Sequence, residues 1–198
     1  MLLRTPKRAL LSLAVIGLLA GTVSVEASAQ QTRERAGRNK GDDAKQQVLY
    51  PDATRVAPEG KNSRKGGPMA EKMIKAYNDQ DWAKARADAD ALIASPDSND
   101  YDKALAAQIA SQAAYSTDDE AAAKAYLKQA IDLNALDNNG HYQAMFMLAQ
   151  LQLQDEQYAD GLATLDKYLA ETKSKKPEDL ALKGQALYQA ERLSLIHI

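Results

Sequence analysis

The 198 residues contain no cysteine. This removes thiolate metal sites, cysteine nucleophiles, disulfides and a lipid-anchored cysteine at once. Two histidines remain, His141 and His197. A metal site at His141 would have to recruit carboxylates alone, and no ligand spacing surrounds it. It follows Asn139-Gly140 at the start of a helical stretch and reads as a solvent-facing loop residue. The acidic run Asp118-Asp119-Glu120 lacks the sharp glycine turn of a calcium loop, and acids at a helix start are favoured by the helix dipole with no ion present. No glycine-rich phosphate loop and no Ser/His/Asp arrangement occurs. The expectation is therefore no catalytic residue, no cofactor and no metal. What such a chain offers is surface.

The elements that carry that surface fall into four segments. Arg4, Lys7 and Arg8 precede a mostly apolar run from Ala9 to Gly21, and Ala27-Ser28-Ala29 supplies small residues at a cleavage site. This is the three-part pattern of a cleaved export signal over residues 1–29. The apolar stretch to Val25 is shorter than the roughly 20 residues of a spanning helix, so no stable membrane anchor is expected after cleavage. With no cysteine, the expected destination is the periplasm of a Gram-negative bacterium. Residues 30–68 form a polar arm with nine Lys or Arg and five Asp or Glu. So few large apolar residues cannot offset the ordering entropy, and the arm reads as disordered or extended. Val48-Leu49-Tyr50-Pro51 and Val56-Ala57-Pro58 stand out as short apolar stretches held extended by proline. They either dock along the helices or belong to a free linker. Residues 69–192 are rich in Ala, Leu, Gln and charge, which is helix composition. They carry 13 basic and 21 acidic residues. With a net charge of -2 for the whole chain, nucleic-acid binding is not expected. The last six residues, Leu193 to Ile198, match codon for codon the in-frame translation of a common sequencing adapter. They are set aside with His197 as a scar, and the natural chain is expected to continue past Arg192.

The helical segment repeats. Residues 78–85, 116–123 and 154–161 align at a spacing of 38, as do residues 89–93, 127–131 and 165–169. Asp79, Thr117 and Asp155 share one register and read as N-caps of second helices, with Thr117 and Glu120 in a capping-box spacing. Ala85, Ala123 and Gly161 lie two turns further, where a small side chain lets two helices approach. Slim positions in the first helices fall at Met73, Ser111, Ala149 and Gly184. Turn signals separate the pairs at residues 95–98, 138–140 and 176–179.

These residues resemble the tetratricopeptide repeat family. Its pattern is a slim residue in the first helix, an aromatic after the turn, and two alanines in the second helix. Met145, Leu148, Ala149, Tyr158, Gly161 and Leu165 carry the resemblance in the third pair, Trp82 and Ala85 in the first, and Ala123, Ala130 and Ile131 in the second. Glu120 stands where an aromatic is usual, and the period exceeds the family's usual 34. The resemblance implies an all-α, right-handed solenoid of antiparallel hairpins, about three and a half repeats long. The first helix of the fourth pair would lack its partner and expose Leu180, Leu182 and Leu187.

In this family the first helices line a concave groove that binds proteins. Carried across, one groove column is Ile74, Gln112, Gln150 and Gln185, and its neighbour is Tyr77, Tyr115, Leu153 and Tyr188. Glutamine amides can pair with an extended peptide backbone, and tyrosine adds apolar area with a polar tip; the tyrosines could equally pack between hairpins. The family's chaperone-tail clamp of Lys, Arg and Asn is missing, with Gln108, Gln112 and Gln150 in its register. The expected function is a non-enzymatic periplasmic scaffold that binds a peptide or partner protein, with the arm as tether or plug. The alternatives are a structural subunit of an envelope assembly complex, or the N-terminal part of an enzyme whose catalytic domain lies further on.

Overall fold

The computed structural model describes the backbone of residues 47–196 and the side chains through residue 191. The expected export signal and the arm up to residue 46 lie outside the described residues. Seven helices follow one another: α1 Gly66–Asn78, α2 Trp82–Ala94, α3 Asp100–Ser116, α4 Glu120–Leu133, α5 Asn138–Gln154, α6 Tyr158–Thr172 and α7 Pro177–Ile196. No strand occurs among the described residues. Each helix packs on the next, and α1 also reaches α3. The result is a solenoid of three hairpins, α1–α2, α3–α4 and α5–α6, with α7 laid against the last. The arm hands over to helix at Gly66, three residues before the composition changes. Pro68 stands in the first turn, where its missing N–H costs nothing.

The turn inside each hairpin is the same structure three times. Gln80, Asp118 and Glu156 take left-handed backbone at φ 58°, 58° and 61°, 38 residues apart. The amide of each bonds back to Tyr77, Tyr115 or Leu153, and the next amide reaches Ala76, Ala114 or Gln152. That pair of bonds is a Schellman motif. The residue closing it, Asp81, Asp119 or Gln157, is at once the N-cap of the following helix. The Asp81 and Asp119 side chains accept from Lys84 and Ala122 amides. Asp79, Thr117 and Asp155, expected as N-caps, instead terminate α1, α3 and α5. An N-cap needs non-helical geometry immediately before its helix, and only the residue after the left-handed one has it. Nor does Thr117 form a capping box with Glu120. The box that exists is Asn99 with Asp102, at the start of α3.

Small residues set how closely the helices approach. Ala85, Ala123 and Gly161 are buried, at the expected spacing. A Cβ on Gly161 would stand 2.6 Å from Leu153 Cδ2 and 3.1 Å from the Leu153 amide nitrogen, so α5 lies directly on it. Met73, Ser111 and Ala149 are fully buried. Gly184 is not their fourth counterpart, because it is exposed and a Cβ there would meet nothing within 4 Å. The buried face of α7 keeps the 38-residue period instead: Ala110, Leu148 and Ala186 are all buried. On the far face of α7, Leu180 and Leu187 are half exposed, whereas Leu182 turns inward onto the Tyr142–Tyr168 cluster.

His141 lies in the first turn of α5 and is 3% exposed, not a solvent-facing loop residue. Its Nδ1 has no hydrogen-bond partner. Burial holds its pKa down to about 4, with the Arg55 and Lys167 cations adding to the effect. The folded protein therefore binds the proton less well than the unfolded chain. Stability is unaffected above pH 6.5, and about 3 kcal/mol is lost as pH falls toward 4.

Two measurements follow. Left-handed backbone costs a side chain about 1 kcal/mol or more that glycine does not incur. Glu156→Gly should raise stability by about 0.5–1 kcal/mol in urea unfolding, and Glu156→Val should lower it. Between pH 7 and pH 4.5, His141→Gln should lose clearly less stability than the wild type; equal losses would refute the protonation account.

Candidate interaction surface

The expected groove columns lie on α1, α3, α5 and α7, in the C-terminal half of the first three. Ile74 is 36% exposed. Tyr77, half buried, stands edge-on to Trp82 with centroids 5.5 Å apart. Its hydroxyl donates to Gln112 Oε1 at 3.4 Å, joining α1 to α3. Desolvation raises the Tyr77 pKa, so the hydroxyl stays protonated and able to donate. Gln112, Gln150 and Gln185 are half buried. Tyr115 is also half buried, packed on the cluster of Ala114, Ala123 and Leu127. Leu153 departs from its assignment. It is 6% exposed and fills the space over Gly161, so it belongs to the core. The register of α7 departs as well. At a constant spacing of 38, the residue in line with Ile74, Gln112 and Gln150 is Tyr188, which is 58% exposed, while Gln185 belongs to a different line. Ile74, Gln112, Gln150 and Tyr188 thus hold one register on α1, α3, α5 and α7, with Tyr77 bonded to Gln112 and Tyr115 half buried beside it.

A second surface lies at the opposite ends of the same helices, where α4 and α6 finish and α3 and α5 begin. Residues 47–65 are laid along it as a strap. Its contacts run from the third hairpin back to the first. Asn139 brackets the strap backbone: its Oδ1 accepts from the Leu49 amide at 3.0 Å and its Nδ2 donates to the Gln47 carbonyl at 2.7 Å. The Tyr50 ring enters a socket, edge-on to Tyr142 at 5.2 Å and to Tyr168 at 6.0 Å, with the Lys176 ammonium 5.5 Å from its centroid. Tyr168 is fixed in turn by its hydroxyl, which donates to Asp179 at 3.0 Å.

Thr54 and Arg55 supply donors to helix ends. The Thr54 amide donates to the Glu171 carbonyl in the last turn of α6. Arg55 spreads its guanidinium over the end of α4. It donates to Asn134 Oδ1 at 2.7 Å, to Asn138 Oδ1 at 2.8 Å, and to the Asn134 and Leu136 carbonyls at 2.9 Å each. A cation there also meets the negative end of the helix dipole. Asn138 Nδ2 returns a bond to the Arg55 carbonyl. Further on, Asn99 donates to the Lys61 carbonyl, and the Ser63 amide donates to the buried Asp102 carboxylate. Gly66 has to be glycine, because a Cβ would lie 2.2 Å from Asp102 Oδ2.

Sequence reasoning passed over this surface. Asn138-Asn139-Gly140 carries a turn signal, and it hid the use of both asparagines as readers of main chain. Of the two apolar stretches in the arm only the first docks, since Val56 is 92% exposed. Among the described residues, no group of three or more His, Asp or Glu could hold a metal ion. No described helix is long and apolar enough to cross a membrane.

No curated protein matches the chain. The family model described as a tetratricopeptide repeat-like domain matches residues 58–194. That span covers the helices and the end of the strap, and leaves the Tyr50 and Arg55 anchors outside. The three Schellman hairpins, the small residues between them and this match, which covers well over half of the chain, agree: the protein belongs to the tetratricopeptide repeat-like family.

Proposed function

We propose that this protein is a non-enzymatic scaffold of the bacterial periplasm, which holds an extended segment of a partner protein against the ladder Ile74, Gln112, Gln150 and Tyr188. The observation that carries the reading is the repetition of that ladder at a constant 38 residues on successive first helices, flanked by the half-buried Tyr77 and Tyr115. A peptide backbone repeats its own amides and carbonyls, and side-chain amides offered at regular intervals are suited to pairing with them. Tyrosines beside them contribute rigid apolar area with a polar tip, the composition of binding hot spots. Tetratricopeptide repeat-like domains bind proteins or peptides in general, which fits the ladder. The pattern of residues 1–29 supports export and cleavage after Ala29.

Expression with the native N-terminus in a Gram-negative host should give a periplasmic product that begins at Gln30; a cytoplasmic product that keeps Met1 would refute the location. A photo-crosslinking residue at Gln112, in the mature protein, should capture a discrete partner from envelope extract. The Tyr115→Ala, Gln150→Ala pair should reduce that capture at least tenfold. Equal capture by the pair would refute the ladder as the binding surface.

A further inference from the structure

The strap is bound the way a protein binds a peptide ligand. Two strap residues, Tyr50 and Arg55, insert side chains, and the solenoid answers with its own asparagines on the strap main chain. Asn139 reads the backbone on either side of Val48, and Asn138 reads the Arg55 carbonyl. Between the two anchors, five residues apart, the backbone turns, with the Ala53 amide donating to the Tyr50 carbonyl at 3.3 Å, and Leu49 and Ala53 also pack on the aromatic cluster.

Three further observations bear on whether the occupant can change. Residues 56–59 are exposed, and the chain meets the surface again where Gly60 lies against the Tyr101 ring and the Lys61 carbonyl accepts from Asn99, so segment 47–55 hangs on a short exposed connection. Beneath the anchors the site is not fully satisfied. His141 Nδ1, more than nine-tenths buried in the first turn of α5, has no hydrogen-bond partner. Lastly, the repeat-family match begins at residue 58 and leaves the anchored segment out.

We infer that this edge of the solenoid is a second peptide-binding site, separate from the first-helix ladder, and that segment 47–55 is a displaceable ligand held in cis. The partner it fits is a protein segment that turns just after an aromatic residue and proline, and carries an arginine five residues after the aromatic. The aromatic replaces Tyr50 between Tyr142 and Tyr168. The arginine replaces Arg55 over the end of α4, and Asn139 brackets the incoming backbone. Binding in trans frees the arm and the chain N-terminal to it, so one event would both capture a partner and release a tether.

The test uses the full chain and a fluorescein-labelled synthetic peptide spanning residues 46–58. In the wild type, hydrogen exchange should show the Leu49 and Thr54 amides opening at least tenfold faster than the core amides of α5, without loss of the helices. In the Tyr50→Ala, Arg55→Ala chain, checked for helix content by circular dichroism, the peptide should bind at least tenfold tighter than to the wild type. The same peptide carrying both alanines should not bind, and adding Asn139→Ala to the chain should abolish binding. A folded double variant that leaves the peptide unbound would overturn the inference. So would Leu49 and Thr54 amides that exchange only with global unfolding, and that measurement decides the matter if the variant fails to fold.

Discussion

An α-helix leaves amides unpaired at one end and carbonyls at the other, and a stack of short hairpins multiplies those ends. Seven helices in about 130 residues make helix termination the constraint on which this structure depends. One edge solves it locally and identically three times. A left-handed residue closes a Schellman turn, and the next residue caps the following helix. On the other edge α4 and α6 also end in left-handed residues, Asn134 at φ 49° and Lys173 at φ 55°, but donors from elsewhere add to these caps. There α2 uses its own Ser98, whose hydroxyl donates to the Leu92 carbonyl, while α4 and α6 take donors from Arg55 and Thr54 of the strap. The strap is thus held in part by carbonyls at the ends of α4 and α6.

That arrangement changes the mechanics of the fold. In a solenoid each repeat touches only its neighbours, and stability is close to a sum of adjacent contacts. Here one non-helical segment contacts the starts of α3 and α5, the ends of α4 and α6, and the Lys176 side chain just before α7. The first-helix ladder runs across the same hairpins, at the other ends of the same helices, so strap and ladder share the spacing between repeats.

Seven of the nine tyrosines divide along the same lines. Tyr142 and Tyr168 are core, and with Tyr50 and the tilted Phe146 they build one aromatic cluster under the strap. Tyr77 and Tyr115 are half buried on the first-helix face, and Tyr188 lies largely exposed on α7. Tyr126 holds repeats together from the second helices, its hydroxyl donating to Asp90 at 2.6 Å while Arg86 reaches both it and Asp119. Residue type alone does not separate these roles. The separation comes from which helix a tyrosine occupies and whether a neighbouring repeat covers it.

Much of the fold was legible in the chain. Composition gave helices, the 38-residue self-similarity gave hairpins, and Ala85, Ala123 and Gly161 marked close approach, because periodicity and side-chain size are local properties. The caps were displaced by two residues, since acids stand at both 79 and 81, and only the left-handed residue between them decides which one caps. Leu153 looked like a surface position because α5 continues its column, but the void over Gly161 exists only once α5 and α6 are packed. The phase of α7 was lost for the same reason: Gly184 is small, yet smallness signals contact only where a neighbour arrives. Least legible was the strap site. Tyr50 and Arg55 are about 80 to 120 residues in sequence from the groups that receive them, and nothing local couples them. The sequence by itself determined what each helix would be and where each hairpin would turn. The tertiary structure alone decided which helix ends on one edge receive donors from elsewhere in the chain, and therefore where residues 47–55 dock.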